Sequence, residues 1–196
     1  LAKLIKKNGG KIKLNTNIKD LTALEKEFEI MVDTRPAKEV EYLGAIDVVF
    51  RSKQNLSPYY WHNINDTESP FVAVVQHTNL IEKKNYNNKD VYYLGSYLPQ
   101  NHKLFGWSDK KITDNWFSYV KRIFPEFDPI MVDKVSVFRF KSAQHIVTTN
   151  YAQKIPPQKI SAKIYQINFA QIYPEDRGLN FAVREAKKMV KVIFES

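Results

Sequence analysis

A series of short apolar segments runs through the first half of the chain with no helical pattern between them. They are rich in β-branched and aromatic residues, and they lie at 28–33, 45–51, 71–77 and 91–98. In the second segment, Ile46, Val48 and Phe50 alternate with other residues and so share one face of a strand. Strands that follow one another closely usually pair as antiparallel neighbours. The pattern therefore predicts a mixed, largely antiparallel sheet.

Helical patterns lie only at the edges of this region. Residues 1–8, residues 110–124 and the segment from Leu179 onward carry apolar residues at helical spacing. Further strands are predicted at 11–15, 135–140, 145–149 and 163–170. These segments amount to about eight strands and three helices, which predicts an α+β fold with helices flanking the sheet. The prolines within 153–159 predict a loop inside the domain and not a linker between domains.

Composition excludes several kinds of protein. Cysteine is absent, which rules out disulfides and thiolate chemistry and fits a reducing cytoplasm, where we expect the protein to reside. No uncharged apolar run is long enough to predict a membrane span. The net charge is +9, but the Lys and Arg residues are scattered along the chain. We therefore expect a diffusely basic surface and no nucleic-acid partner.

Motifs for self-contained catalysis are also missing. The six glycines form neither a G-x-G-x-x-G fingerprint nor a phosphate-binding loop. The histidines are His62, His77, His102 and His145. None of them stands at metal-ligand spacing from another ligand, so no metal site is predicted. The residues alone identify no catalytic group.

The chain closes with a turn and an amphipathic helix. Its apolar residues recur at helical spacing at Ala182, Val183, Ala186, Met189, Val190 and Ile193. Asp176 is the expected N-cap, and the simplest interpretation is a capped helix that packs into a core. A second interpretation begins with Gly178, which lets another group approach the backbone. The free N–H donors of a helix N-terminus can then hold an anion or an electron-rich oxygen. The residues leave both interpretations open.

The segment 57–81 is unusual for a plain core. Aromatic residues and His62 cluster beside a turn, and the string His77-Thr78-Asn79 ends an apolar strand. Such groups at strand ends can line a ligand pocket. They are equally consistent with a turn that packs against an edge strand.

Four strings in this sequence resemble the later half of the flavin-dependent amine oxidase and protoporphyrinogen-oxidase-like superfamily. They are "GGKIKLNTNIKDL" (9–21), "LSPYYWHNINDTESPFVAVVQHTNLI" (56–81), "VYYLGSYLP" (91–99) and "QIYPEDRGLNFAVREAKK" (171–188). They occur in the order expected for such enzymes, and the resemblance covers nearly the whole chain. The subgroup is also similar to UDP-galactopyranose mutase.

The resemblance implies a cofactor and a site. In the family, the last helix points its N-terminus at the flavin, where donors favour the reduced form. Carried over by position, the residues that would lie against FAD are Glu175, Asp176, Arg177, Gly178, Leu179 and Asn180. The resemblance further implies that Glu175 or Asp176 contacts the ribityl chain or caps the helix.

One further position departs from the family pattern, and several others are candidates for the substrate pocket. Amine oxidases carry a lysine near the flavin where this chain has Asp47, which weakens the prediction of amine oxidation. The remaining substrate-pocket candidates are Tyr60, Trp61, His77 and Tyr93. The stretch 33–44 is shorter than its family counterpart, so the sheet order there is uncertain from sequence.

The resemblance also implies how the chain is divided into functional regions. Residues 1–170 would form a substrate-domain-like region and 171–196 the flavin-facing turn and helix. The dinucleotide-binding part would lie in polypeptide that precedes this chain. We expect a fragment of an FAD-dependent oxidoreductase that acts on a small-molecule substrate and is inactive alone. The alternatives are a UDP-galactopyranose-mutase-like enzyme of polysaccharide synthesis, which uses reduced flavin without net oxidation, and a non-catalytic basic binding module.

Overall fold

A computed structural model describes residues 1–194, which contain three helices and seven strands. The helices are α1 (Ala2–Lys7), α2 (Asp109–Ile123) and α3 (Leu179–Phe194). The strands are β1 (Met31–Asp33), β2 (Tyr42–Ser52), β3 (Trp61–Asn63), β4 (Ala73–Gln76), β5 (Asp90–Pro99), β6 (Val132–His145) and β7 (Ile164–Gln166). Five of the strands form one antiparallel sheet and two form a parallel pair. The predicted α+β class is confirmed.

The chain divides into two compact units. One unit contains residues 36–156, and the other contains residues 1–35 together with the chain from residue 157. The chain passes between the units at Arg35–Pro36 and again at Pro156–Pro157. The segment 153–159, predicted as a loop or an extended crossing and not as a domain linker, therefore joins two compact units. Two consecutive prolines fix φ and supply no N–H donors, which suits a segment that joins two cores. The predicted functional division at residue 171 is a different one and stays a prediction.

The larger unit is built on the five-stranded sheet, in the order β3-β4-β5-β2-β6. β2 lies between the two longest partners, with Val48 opposite Leu94 of β5 and opposite Val137 of β6. The predicted inward face of β2 is confirmed, because Ile46, Val48 and Phe50 are all buried. β2 therefore organises this unit.

Helix α2 covers one face of the sheet. It begins after Ser108, whose hydroxyl accepts from the backbone N–H of Lys111 at 3.2 Å. Its buried face carries Ile112, Trp116, Phe117 and Val120, which join the inward side chains of the sheet in one core. This matches the predicted helix at 110–124. The aromatic rings of Phe50 and Tyr92 stack with centroids 4.7 Å apart, and Phe117 meets Phe50 edge-on at 5.1 Å.

The other face of the same sheet is not covered by α2, and several of its large side chains are exposed. Side chains alternate across a strand, so the residues between the buried ones point away from α2. On β2 this outward set includes Asp47 and Val49. Tyr93 stands opposite Val49, and Phe138 stands opposite Asp47. This second face, which we call the open sheet face, carries the outward residues of all five strands.

The smaller unit contains α1, the parallel pair β1–β7 and α3. Met31 pairs with Ile164 and Asp33 with Gln166. α1 ends before Gly9, whose φ of 82° suits the predicted helix stop. Helix α3 begins at Leu179 as predicted and buries Met189, but Val183, Ala186 and Val190 lie exposed along one side. The interpretation that this whole apolar stripe packs into a core was therefore wrong.

Three strand predictions also differ from the structure. Residues 11–15 belong to no strand of the described chain, and every one of them is exposed, because two lysines and an asparagine leave little apolar surface to bury. The predicted strand 135–140 is confirmed as part of β6, which runs to His145 and pairs with β2 through Gln144 and Leu43, so no separate strand covers 145–149. The predicted strand 163–170 is only β7, because Phe169–Gln171 form a 3₁₀ turn. The short strand β3 was not predicted. None of the helices within residues 1–194 has the length and apolar character required to cross a bilayer.

The two faces of the sheet predict losses of stability of very different size for the same substitution. Phe50→Ala removes a ring that is 1% exposed and should lower the free energy of unfolding by about 3–5 kcal/mol. Phe138→Ala removes a ring on the neighbouring strand that is 46% exposed, and it should cost less than about 1 kcal/mol. Urea denaturation followed by circular dichroism gives both values. Equal losses would show that the open sheet face is misassigned.

Candidate functional site

The open sheet face is rich in aromatic side chains. Trp61 of β3 is 53% exposed and Tyr93 of β5 is 37% exposed. Three more rings follow on the same face, namely Tyr97, Phe138 and Phe140. Large apolar side chains grouped on an exposed surface usually mark a binding site. The predicted candidates Trp61 and Tyr93 thus lie together on one surface with rings that the sequence did not single out.

Asp47 lies in the middle of this aromatic surface. It pairs across the sheet with Gly95, and a Cβ at that glycine would come within 3.2 Å of the Asp47 carboxylate. Glycine at position 95 therefore gives the carboxylate room on the face. The prediction that Asp47 and Tyr93 belong to one site is consistent with their places on adjacent strands.

His77 joins the same face from a turn. It begins a 3₁₀ turn, His77–Asn79, directly after β4. Its Nε2 lies 2.9 Å from the hydroxyl of Tyr86, and its ring meets that of Tyr93 edge-on with centroids 5.6 Å apart. Burial first, and then the nearby phenols of Tyr86 and Tyr60, raise the pKa of Tyr93. The structure therefore groups His77, Tyr86, Tyr93 and Tyr60.

Behind this group a buried polar network holds the turn in place. The Asp90 carboxylate accepts from the Thr78 hydroxyl at 2.8 Å and from the Gln76 amide at 3.1 Å, and Lys83 pairs with it at 2.8 Å. The Asn79 amide donates to the backbone carbonyls of Ser57 and Tyr59, each at 2.9 Å. Thr78 and Asn79 are thus structural groups, while His77 faces the rings. The turn interpretation of segment 57–81 is confirmed by these bonds, and its ligand-pocket interpretation stays a prediction.

A cavity opens on the open sheet face between β5, β2 and β6. Its volume is about 260 Å³. The side chains and backbone that line it belong to Val49, Phe50, Arg51, Tyr86, Val91, Tyr93, Lys134, Ser136 and Phe138. Of the predicted candidates only Tyr93 lines this cavity. Tyr86 and the β6 residues were missed, although the alternation in "VSVFRF" does place Ser136 and Phe138 on one side of a strand.

An ionic cluster stands at one end of the cavity. Arg51 binds the Asp133 carboxylate in a bidentate pair at 2.8 and 3.1 Å, and Lys89 pairs with the same carboxylate. The hydrogen bonds from Arg51 and Lys89 hold the pKa of Asp133 well below its usual range. Within residues 1–194, no three His, Asp or Glu side chains converge in the manner of metal ligands.

The predicted flavin-facing residues lie in the smaller unit, at the start of α3. Gly178 directly precedes the helix, and its carbonyl accepts from the Ala182 N–H at 2.9 Å. Asp176 instead bonds the N–H of Arg177 at 2.7 Å, so the prediction that Asp176 caps the helix was wrong. The reason is that α3 begins at Leu179, two residues too late for a capping group at 176.

The tip of α3 is open to solvent. Leu179 is 84% exposed, and Asp176 and Asn180 are also exposed. A Cβ at position 178 would come within 2.7 Å of the Asn180 amide oxygen. That oxygen is the end of an exposed side chain, which can turn away, so what glycine supplies here is a backbone open to close approach. The predicted contact with an electron-rich ligand group would use this exposed helix start beside a glycine, and it stays a prediction.

Glu175 is tied to the side of α3. Arg184 donates to both of its carboxylate oxygens, one at 3.1 Å, and also donates from Nε to Glu185 at 2.7 Å. Lys188 adds a second bond to the buried Glu185 at 2.9 Å. The hydrogen bond from Arg184 lowers the pKa of Glu175 below its ordinary value. The pair therefore fixes the preceding turn against the second turn of the helix.

A solved structure shares this fold. A protein from Exiguobacterium sp. 255-15, provisionally described as a protoporphyrinogen oxidase, matches with a TM-score of 0.60 and 18% identity over 79% of this chain. The match spans only 35% of that protein's length. At this identity the similarity establishes the fold and not the activity.

Two other solved structures match more weakly. Reduced UDP-galactopyranose mutase has a TM-score of 0.46 at 12% identity, over 59% of this chain and 29% of that one. An oxidoreductase from Methanosarcina mazei has the same score and identity over 66% and 29% of the two chains. Neither similarity is strong enough to support an argument. No protein-family model matches the sequence, and no curated protein matches it closely enough to count as a relative.

The buried network behind His77 leads to a test of the site's support. Asp90→Ala would leave the donors of Thr78, Gln76 and Lys83 without their acceptor, and it should lower the free energy of unfolding by about 3 kcal/mol. The matched control is Asp133→Ala, which removes a partly exposed carboxylate and should cost clearly less. A loss for Asp90→Ala no larger than that of the control, in urea denaturation, would contradict the supporting role.

The Glu175–Arg184 pair predicts a titration. Because the folded-state pKa of Glu175 is depressed, the pair's contribution is present above the ordinary glutamate pKa and is lost as the pH falls through the folded value. Carbon-13 NMR should show Glu175 titrating below ordinary glutamates. Arg184→Gln should return it toward the ordinary pKa, and Arg35→Gln, which removes the partner of Asp33, should leave it unchanged. An unshifted Glu175 in the wild type would show that the pair does not form.

Proposed function

We propose that this chain is the substrate-side part of an FAD-dependent oxidoreductase. The larger unit contributes the wall of a substrate cavity, and the smaller unit contributes the flavin-facing helix α3. The longer protein transfers hydride or electrons between a small-molecule substrate and the flavin.

The observation that carries this proposal is the asymmetry of the five-stranded sheet. One face is closed by α2, and the other presents a contiguous group of exposed rings around Asp47. A packed scaffold on one side and an aromatic surface with a few polar groups on the other is typical of a ligand-binding wall. The likeness in fold to a protein described as a protoporphyrinogen oxidase supports a flavin-linked role for that wall.

The tip of α3 supports the cofactor. FAD would supply the electron-transfer chemistry, and the protein would position it and tune its potential. Gly178, Leu179 and Asn180 would provide backbone donors and a close approach at the helix tip. Glu175, held by Arg184, would fix the turn, with Asp176 and Arg177 beside it. These roles fit the exposed, glycine-containing helix start.

The smaller unit supports the proposal that further polypeptide completes the flavin site. Parallel strands normally lie in sheets covered on both faces, and an isolated two-stranded pair is at best marginally stable. β1–β7 is a parallel pair of three residues a strand, and α3 exposes Leu179, Val183 and Val190 along one side. A dinucleotide-binding part would supply additional parallel strands, and it would bury the exposed apolar side of α3.

The proposal predicts the effect of side chains at the helix tip. In the longer protein, Gly178→Val should weaken FAD binding by at least about tenfold, because its branched side chain would stand where the cofactor approaches the helix tip. Gly106→Val is the matched control, since a Cβ at that glycine meets nothing within 4 Å. Flavin released on dilution gives both affinities. Equal affinity for the two variants would remove α3 from the flavin site.

The proposal also predicts the behaviour of the isolated chain. Without the pyrophosphate-binding part, the chain should retain no FAD through gel filtration and should show no oxidase activity. The measurement is the flavin absorbance of the protein peak after incubation with FAD. A yellow peak with stoichiometric flavin would contradict the division of the site between two parts.

A further inference from the structure

The cavity on the open sheet face is lined mainly by apolar and aromatic groups. Val49 and Val91 are aliphatic lining residues, and Tyr86, Tyr93 and Phe138 contribute aromatic rings. At about 260 Å³ it is slightly smaller than the roughly 300–1,000 Å³ of pockets that enclose drug-sized ligands. Aromatic walls favour a flat, unsaturated group that can stack on them or meet them edge-on.

Two of these three lining rings, those of Tyr86 and Tyr93, are held in position before any ligand arrives. The Tyr86 hydroxyl is bonded to His77, and His77 also contacts the ring of Tyr93. His77 in turn sits on the turn that Asp90 anchors through Thr78. Prearranged rings lose little conformational entropy on binding, so a small ligand can gain useful affinity from them.

One end of the cavity is cationic. Arg51 and Lys134 line it, and Lys89 lies beside Arg51 on the shared carboxylate of Asp133. This end therefore has three cationic side chains and one carboxylate, which leaves an excess of positive charge. Asp47, the acidic group in the middle of the face, lies beyond the cavity opposite Phe138. The field at the Arg51–Lys134 end therefore favours an anionic group.

We propose that this cavity binds a small aromatic carboxylate, with the ring between Tyr93 and Phe138 and the carboxylate toward Lys134 and Arg51. The ligand is taken to be the substrate, and in that respect the inference rests on the proposed function. The binding itself needs neither flavin nor the rest of a longer protein, because every residue involved belongs to the unit 36–156.

The test uses three probes that share the same ring system and differ in charge: one anionic, one neutral and one cationic. Indole-3-acetate, indole-3-acetamide and tryptamine are titrated into the chain at low salt, and binding is followed by amide chemical shifts in ¹H–¹⁵N NMR. Indole-3-acetate should bind at least about fivefold more tightly than tryptamine, with the neutral amide between them, and the difference should shrink as salt is added. The shifts should centre on Val49, Val91, Tyr93 and Phe138.

Two pairs of variants separate charge from stacking. Lys134→Glu should abolish the preference for the anion, whereas Lys121→Glu, an exposed charge reversal on α2, should leave it intact. Tyr93→Leu should weaken all three probes, whereas Tyr97→Leu, on the same face but outside the cavity lining, should not.

The wild-type series decides the matter even where a variant folds poorly. Tryptamine binding as tightly as indole-3-acetate, or shifts that map to another surface, would overturn the inference. That outcome leaves the proposed function standing, because flavin binding in the longer protein is measured separately. Failure of the longer protein to bind flavin would in turn leave the aromatic-carboxylate site intact.

Discussion

The stack of Phe50 on Tyr92, extended by Phe117, determines which face of the sheet in the larger unit is buried and which is open. These rings join β2, β5 and α2 in one core, and they commit every second residue of the central strands to the inside. The residues between them must then point away from the core, because the side-chain period of a strand is two. The aromatic surface around Asp47 and Tyr93 is therefore a direct consequence of how the opposite face is packed.

Support for that surface comes from rigid elements. Four of its five exposed rings stand on the long or central strands, and His77 is fixed by the buried network around Asp90. Groups held by strands and buried hydrogen bonds keep their geometry better than groups on loops. The same principle applies to the smaller unit, where Arg184 ties Glu175 to α3 and so orders the turn before the helix.

Local patterns in the sequence predicted the features that depend only on residues close together in the chain. The inward face of β2, the extent of α2 and the start of α3 follow from periodicity alone. The cavity could not be predicted, because it requires β2 to pair with β6 and Tyr86 to approach from a turn. An amphipathic pattern predicts that Val183 and Val190 pack against another surface, but it does not identify that surface. Their exposure in this chain was therefore not predicted.

The central claim is that an exposed aromatic wall and an exposed helix tip belong to one flavin-dependent protein. The most direct measurement is the cofactor content of the longer natural protein, purified without added flavin and analysed after denaturation. The account predicts about one noncovalent FAD for each chain, since the cofactor carries the chemistry. A folded, full-length protein that contains no flavin and takes none up on incubation would contradict it.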